Sequence, residues 1–186
     1  MAKPEDHAHV GTALDGISYR TLRPEDADAL HEIVSDWEVV RQLGSWPWPP
    51  DRDFTASRSK PYEGDGFVWG IFDGDMLIGT MGVTDGDLGY CLKKSHWGRG
   101  IATYVGKAAV DEAFRDPALT RITASAWHDN GASDRVLEKL SFSQLSTKVQ
   151  HAKARDEATA CHKYLLTRTH WDGLRSRGEW TIAAAE

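Results

Sequence analysis

The chain has 186 residues, enough for one domain whose hydrophobic core is stable without a disulfide or a structural metal. Its formal net charge of −6 argues against a nucleic-acid-binding protein and suits a partner that carries a positive amine. Its two cysteines form no C-x-x-C pair, and the sequence shows neither a signal pattern nor an apolar run near the ~20 residues of a membrane span. We therefore expect a cytoplasmic protein without a disulfide framework, a metal site or a membrane segment.

Hydrophobic periodicity predicts helices and strands after a polar, flexible tail at residues 1–15, in which His7 and His9 form a pair that could hold a metal. The first predicted elements are a strand at 17–22 and helices from Pro24, at 37–43 and at 51–60, the last with Phe54 and Ala56 facing inward. Strands at 67–72, 76–83 and 88–92 follow, and then a helix at 101–114 and a strand at 121–127. The last predicted elements are a helix at 131–140 and strands at 142–149 and 159–167. This order predicts an antiparallel meander followed by a right-handed crossover to a parallel strand. We assign one domain to residues 16–170 and treat residues 171–186 as a C-terminal tail.

Two tryptophans, Trp46 and Trp48, lie among prolines in the segment 44–50. Such a stretch forms neither a regular helix nor a central strand, so we expect an irregular surface loop. Both indoles are candidates for binding an acceptor as an aromatic lid. Alternatively they cap the core between helices and sheet, and we expect one indole in each role.

Two glycines, Gly98 and Gly100, lie between the strand at 88–92 and the helix at 101–114. Glycine lets the backbone turn sharply and leaves its N–H groups uncovered by side chains. These N–H groups and the positive end of the helix dipole form a site for an anion such as pyrophosphate. A tight strand-to-helix turn that binds nothing has the same pattern.

The segment Trp97-Gly98-Arg99-Gly100-Ile101-Ala102 resembles the acyl-CoA-binding motif Q/R-x-x-G-x-G/A of the GNAT N-acetyltransferase superfamily. Residues 130–142 are similar to the superfamily's next block, N-x-x-S-x-R-v-l-E-K-l-G-F. The resemblance is closest to the ribosomal-protein N-terminal acetyltransferases, the RimJ/RimL-like branch, and covers roughly residues 17–170. Three positions depart from the pattern: Trp97 replaces Gln or Arg, Tyr104 stands where this branch often has Glu, and Ser141 replaces Gly.

The resemblance implies an α+β fold (α/β in the sense of this superfamily). Its sheet is mixed and mostly antiparallel, with about six or seven strands and helices on both faces. The parallel strands at 88–92 and 121–127 are expected to splay apart and to admit the pantetheine arm of acetyl-CoA between them. The two helices after Pro24 would form one wall of the acceptor cleft.

The resemblance also implies which residues bind acetyl-CoA. The backbone N–H groups from Gly98 to Thr103 would bind the pyrophosphate beside Trp97. Arg99 and Arg135 would pair with phosphates, or would be solvated surface charges. Asn130 would hydrogen-bond the pantetheine arm, although asparagine is also a preferred N-cap at a helix start.

In this superfamily an unprotonated amine attacks the thioester directly, without a covalent acyl-enzyme. The resemblance places an oxyanion-stabilising N–H near Cys91 or Leu92 and a proton-relaying hydroxyl at Ser133. Tyr90 is a second candidate for that relay. A first-turn serine and a half-buried strand tyrosine are also ordinary structural residues.

The sequence marks no general base. Glu63, Asp65, Asp85 and Asp87 all lie in predicted turns from which a carboxylate could reach the cleft, and turn formation alone explains the last two. Deprotonating an α-amine of pKa ~8 at pH 7 costs about 1.4 kcal/mol, against about 4.6 kcal/mol for a lysine of pKa ~10.4. A site without a conspicuous base therefore favours an α-amine.

We interpret the chain as an acetyl-CoA-dependent N-acetyltransferase that acts on a primary amine, with a protein N-terminus as the favoured acceptor. One alternative is acetylation of a small molecule such as an aminoglycoside, a polyamine or an amino acid. Another is a CoA-binding protein that regulates without catalysis. We expect no nucleic acid or membrane partner, and either a monomer or a homodimer.

Overall fold

The computed structural model describes Leu14 and residues 16–181. The predicted N-terminal tail, with His7 and His9, lies outside the described residues except for Leu14. That leucine packs against the main core.

A seven-stranded sheet in the order β1-β2-β3-β4-β5-β7-β6 forms the centre of the molecule. Its strands are β1 Ile17–Thr21, β2 Gly66–Asp73, β3 Met76–Thr84, β4 Asp87–Leu92, β5 Arg121–Trp127, β6 Ser143–Ala152 and β7 Glu157–Thr167. All neighbours pair antiparallel except β4 and β5. Asp85 and Gly86 join β3 to β4 with φ angles of 51° and 76°, as a tight hairpin turn requires. The predicted meander is therefore confirmed.

The parallel strands β4 and β5 separate soon after they meet. Their pairing covers only two residue pairs, Asp87 with Thr123 and Leu88 with Ala124. Because β4 continues to Leu92 and β5 to Trp127, the strands diverge beyond Leu88. They leave a gap in the middle of the sheet, as the family resemblance implies.

Six α-helices lie in the described residues, on both faces of the sheet. They are α1 Ala27–Val34, α2 Trp37–Val40, α3 Arg52–Arg58, α4 Ile101–Ala113, α5 Gly131–Lys139 and α6 Arg168–Ser176. Alternation along β2 separates the faces, since Trp69 and Ile71 join the main core with α4, whereas Val68 and Phe72 join a second core with α1. These layers confirm the predicted α+β fold class. None of the helices between residues 16 and 181 is long and apolar enough to cross a membrane.

Helix α3 buries a different face from the predicted one. Phe54 is half-buried and Ala56 is exposed, whereas Thr55 and Ser59 are buried. The Thr55 hydroxyl lies 3.1 Å from Nδ1 of His31 on α1 and donates to the Asp51 carbonyl. Because the buried face is polar, apolar periodicity assigned it wrongly.

The domain continues beyond residue 170, where the sequence predicts a tail. Trp171 and Leu174 of α6, and Trp180 after it, are buried in the main core. The indole Nε1 atoms of Trp171 and Trp180 both donate to Oδ1 of Asp111 on α4, at 2.9 and 2.7 Å. These contacts fix the segment from 171 to 180 against α4, so the predicted boundary was wrong.

Candidate active site

The segment between β4 and α4 turns twice through left-handed backbone. Gly98 and Gly100 have φ angles of 73° and 78°, which favour glycine. Gly100 is the N-cap of α4, and the Tyr104 N–H donates to the Gly100 carbonyl at 3.0 Å in the first helical hydrogen bond. The N–H groups of residues 101–103 have no helical acceptors and are available, with the positive end of the helix dipole, to an anion. We call this segment, residues 98–103, the anion cradle.

Trp97 lies at the open end of the gap between β4 and β5. Its indole Nε1 donates to the carbonyl of Leu92 at 2.8 Å, and the residue remains 44% exposed. The tryptophan that replaces the family's Gln or Arg therefore holds the end of β4. It leaves an indole surface open to solvent beside the anion cradle.

Two guanidinium groups lie near the cradle and line the same cavity. Arg99 forms an ion pair with Asp73 at 3.3 Å, and its side chain is 45% exposed. Arg135, on α5, is exposed and has neither an ion pair nor a hydrogen bond with its side chain among the described residues. Both cations are accessible to an anionic ligand.

Backbone groups of β4 alternate between the two neighbouring strands. The Lys93 N–H donates to the Ile78 carbonyl of β3 at 2.7 Å, and the Gly86 carbonyl accepts from the Thr123 N–H of β5 at 2.8 Å. The backbone N–H and carbonyl groups of successive strand residues point to opposite sides. In β4, those of odd-numbered residues therefore face β3 and those of even-numbered residues face β5.

This alternation decides which backbone N–H groups point into the gap. Tyr90 and Leu92 present theirs to the gap, whereas the Cys91 N–H faces β3. The strand pattern therefore favours the Tyr90 and Leu92 N–H groups over that of Cys91, which lines the cavity but directs its N–H to β3, and the sequence alone did not indicate the Tyr90 N–H. The Cys91 thiol is buried against Thr80, and this burial raises its pKa.

Tyr90 and Ser133 are in direct contact, although the chain separates them by 43 residues. Their hydroxyl oxygens lie 2.8 Å apart, which joins β4 to the first turn of α5. Burial of the tyrosine raises its pKa to about 12, so the hydroxyl keeps its proton at neutral pH. The structure thus brings together the two residues that the sequence named separately for a proton relay.

Asn130 is the N-cap of α5. Its Oδ1 accepts a hydrogen bond from the Ser133 N–H at 3.1 Å. Its amide nitrogen has no hydrogen-bond partner among the described residues, and the residue lines the cavity. The capping role is confirmed, and the amide donors remain for a ligand.

One cavity of about 1280 Å³ joins the anion cradle, the gap and the α1 face of the sheet. We call its part between α2, residues 41–46 and the strand residues Thr80, Thr84 and Asp87 the acceptor lobe. Trp46 lines this lobe and stacks edge-on against Phe54, with ring centroids 5.2 Å apart.

Trp48 does not line the cavity. It is 42% exposed and packs against Trp37, with ring centroids 5.1 Å apart. Its predicted acceptor-binding role therefore has no support from the cavity lining and stays a prediction. Of the two indoles, Trp46 lines the acceptor lobe and Trp48 lies outside the cavity lining.

The structure distinguishes the four carboxylates that the sequence left undecided. Glu63, Asp85 and Asp87 line the acceptor lobe, and Asp65 does not. Asp85 is exposed and accepts a hydrogen bond from the Tyr62 hydroxyl.

Asp87 differs from the other three in its surroundings. Its Oδ1 accepts a hydrogen bond from the Thr123 hydroxyl at 2.7 Å. The residue is exposed, yet partial desolvation of its carboxylate raises its pKa, against the opposing effects of the Thr123 bond and the Lys163 charge. No local signal could identify it, because its partners lie on β5 and β7.

Comparison with known proteins agrees with this geometry. Residues 17–143 match the family model described as the acetyltransferase (GNAT) domain. The chain is 30% identical over 141 residues to the uncharacterized N-acetyltransferase YoaA of Bacillus subtilis (strain 168), which covers 69% of this chain and 80% of YoaA.

Two solved structures share the fold. RimL, a ribosomal L7/L12 α-N-protein acetyltransferase in complex with coenzyme A, matches with a TM-score of 0.72 at 19% identity, over 88% of this chain and 98% of RimL. AAC(6')-Ib, in complex with ribostamycin and coenzyme A, matches with a TM-score of 0.71 at 19% identity, over 87% of this chain and 98% of that one. Together with the motifs and the domain match, these findings show that the chain belongs to the GNAT acetyltransferase family.

Proposed function

We propose that the protein is an acetyl-CoA-dependent N-acetyltransferase whose acceptor is the α-amine of a protein N-terminus. The observation that carries this proposal is a single cavity that joins the anion cradle, the gap and the acceptor lobe. A thioester with a nucleotide tail needs the first two, and an amine needs the third. The coenzyme A complexes of RimL and AAC(6')-Ib support this use of the cavity.

The residues of the cradle fit the phosphates of acetyl-CoA. The N–H groups of residues 101–103 would bind the pyrophosphate, and Arg99 and Arg135 would add positive charge. The ion pair of Arg99 with Asp73 is exposed and screened by solvent, so a phosphate can replace the carboxylate.

The gap fits the pantetheine arm. The inward N–H groups of Tyr90 and Leu92 would bond its carbonyls in the manner of an added strand. The amide nitrogen of Asn130 would donate to the arm from the other side of the gap.

Acetyl-CoA supplies the acetyl group as a thioester, and the remaining chemistry belongs to side chains and backbone of this chain. The N–H of Tyr90 or Leu92 would stabilise the oxyanion, since an aligned donor acts where charge develops. Ser133 would pass a proton to the departing sulfur and would receive one from Tyr90, its partner at 2.8 Å.

The proposed α-amine acceptor follows from proton energetics. Removing a proton at pH 7 costs about 3 kcal/mol less for an α-amine than for a lysine.

A small molecule with several amines is the second candidate acceptor. Glu63, Asp85 and Asp87 have no salt bridge among the described residues, so the acceptor lobe offers three carboxylates to a polycation. The shared fold of AAC(6')-Ib, solved with ribostamycin, supports this candidate.

Thiol release from acetyl-CoA tests the proposal with two acceptors, a peptide that begins with alanine and ribostamycin. We expect turnover with the peptide, a mass increase of one acetyl group at its α-amine, and no turnover when the same peptide is acetylated beforehand. Turnover with ribostamycin and none with the peptide would favour a small molecule with several amines as the acceptor. Binding of acetyl-CoA without turnover of either acceptor would contradict catalysis and favour the regulatory alternative.

A further inference from the structure

One carboxylate of the acceptor lobe lies where the reaction needs a base. We propose that Asp87 accepts the proton of the attacking amine and that Thr123 is its positioning residue. This inference rests on the proposed function, because it requires an amine acceptor.

Asp87 lies at the closed end of the gap. It pairs with Thr123 in the short parallel stretch, and the strands diverge directly beyond Leu88. Gly89 lies on the same face of β4, about 7 Å further along the strand. A Cβ on Gly89 would meet no atom within 4 Å, so the floor between Asp87 and the gap is open. A carboxylate reaches an amine there directly or through one water.

The proton donors and Asp87 lie on opposite faces of the sheet. Tyr90 packs against the main core and contacts Ser133 of α5. Cys91 has the same parity as Asp87 and packs against the second core, beside α1. A thioester in the gap therefore has hydroxyl groups on one side and the Asp87 carboxylate on the other.

Hydrogen bonding orients Asp87 for this role. Thr123 occupies Oδ1, and Oδ2 has no partner among the described residues. The strand partners Thr84 and Thr123 are neutral, and Lys163 of β7 supplies the nearby positive charge. Partial desolvation of the carboxylate outweighs that charge and raises the pKa of Asp87, although the residue as a whole is exposed, so Asp87 is a stronger base than a fully solvated aspartate.

The proposed step balances without a further reactant. The amine nitrogen forms a bond to the carbonyl carbon, its proton passes to Asp87, and the carbon–sulfur bond breaks with its electron pair on sulfur. Ser133 protonates the sulfur and is reprotonated by Tyr90. Solvent then carries the proton from Asp87 back to the hydroxyl pair, so that the products are an amide and a free thiol.

The substitution Asp87→Asn tests the proposal, with Asp65→Asn as the matched control because Asp65 does not line the cavity. With acetyl-CoA and whichever of the two acceptors turns over, we expect kcat to fall at least 100-fold for Asp87→Asn and to stay within twofold for Asp65→Asn. The KM for acetyl-CoA should remain unchanged in both. The wild-type kcat/KM should fall on the acid side as Asp87 is protonated, and this fall should be absent in Asp87→Asn.

Thr123 is tested through the same bond. Thr123→Val should lower kcat about tenfold, and Thr123→Ser should restore it, because serine can donate the hydrogen bond to Asp87. A Thr123→Val variant with unchanged kcat would exclude the positioning role.

Thermal unfolding separates catalysis from a structural role. Because the pKa of Asp87 is raised on folding, its ionised form lowers stability above the ordinary pKa, and asparagine removes that cost while still accepting from Thr123. Asp87→Asn should therefore unfold at an equal or higher temperature than the wild type. Lower stability with a parallel loss of activity, or an equally active variant, would overturn the assignment and leave acetyl transfer standing. A wild type that acetylates neither acceptor would overturn the proposed function together with the base.

Discussion

The hydroxyl groups of Tyr90 and Ser133 form the best-defined contact of the site. Each alone is an ordinary residue, one on a strand and one in a first helical turn. The distance of 2.8 Å between their hydroxyl oxygens, with Ser133 buried and Tyr90 half-buried, makes them a pair that can move a proton.

Removing the pair should affect catalysis and spare binding. Ser133→Ala and Tyr90→Phe should each lower kcat at least tenfold, because each interrupts the relay to sulfur. The double variant should lose less than the product of the two single losses, since residues that act as a unit are non-additive. Thiol release measures kcat, and calorimetric titration with coenzyme A should show an unchanged Kd. A Ser133→Ala variant with full kcat would remove the serine from the mechanism.

Ser141 replaces the glycine that the family pattern has after α5. Its φ angle is 62°, and the N–H groups of Ser141 and Phe142 donate to the carbonyls of Glu138 and Leu137. These two bonds form a Schellman motif, in which the left-handed residue is usually glycine. The departure from the pattern therefore stores strain at a helix end and does not touch the anion cradle.

Restoring the glycine should stabilise the fold. Ser141→Gly should raise the free energy of unfolding by about 0.5–1 kcal/mol, the relief of left-handed strain less the added entropy of the unfolded chain. Ser141→Ala is the control, because alanine keeps the strain. Urea unfolding measures both, and equal stability of the two variants would contradict this explanation.

At the scale of elements, one arginine joins three segments that are distant in the chain. Arg155, in the β6–β7 turn, donates from Nε to the Arg41 carbonyl at 2.8 Å and from Nη2 to Gln42 at 3.1 Å. Nη1 and Nη2 also hold the Asp129 carboxylate, each at 2.9 Å. Since Asp129 directly precedes Asn130, this clamp fixes the end of α2, a wall of the acceptor lobe, against the loop that carries the amide.

Loss of this clamp should cost stability and acceptor affinity. Arg155→Met should lower the free energy of unfolding by about 2–4 kcal/mol, because its buried guanidinium supplies several charged hydrogen bonds. The free energy of unfolding of Arg155→Lys should lie between those of the wild type and Arg155→Met, because an ammonium cannot hold the carboxylate in the same bidentate way. The KM for the acceptor should rise more than the Kd for coenzyme A.

The clamp also predicts the sign of a pH effect. The Arg155 hydrogen bond holds the pKa of Asp129 below its ordinary value of 3.8. The resulting stability is present above that ordinary pKa and is lost as the pH falls through the lower folded value. The stability gap between wild type and Arg155→Met should therefore narrow below about pH 4, and a gap that widens there would contradict the clamp.

Local chemistry explains which elements were predictable. The Asp-Gly turns and the two left-handed glycines dictate the meander and the anion cradle, because few residues tolerate those dihedral angles. Helix α6 was missed because its buried Trp171 and Leu174 are few, and the contact of Trp171 with Asp111 is 60 residues distant. The Arg155 clamp could not be predicted either, because the partners of Arg155 are distant in the chain.

The short parallel pairing of β4 and β5 determines where the sheet of the whole molecule opens. Only two residue pairs hold these strands together, so the sheet opens where the cavity crosses it. The family resemblance implied this gap. The contact of Asp87 with Thr123 and the inward N–H of Tyr90 required the strand register, which no local pattern contains.

Binding of acetyl-CoA at the anion cradle is tested most directly by the thermal unfolding midpoint with and without saturating acetyl-CoA. At a hundred times its Kd, a ligand of the folded state adds ~2.7 kcal/mol, which for a chain of this size raises the midpoint by about 5–10 °C. We expect that rise for the wild type and its loss in Gly100→Val, compared with that variant's own ligand-free midpoint. An unshifted wild type, folded and free of copurified coenzyme A, would contradict the anion cradle as the site of acetyl-CoA binding.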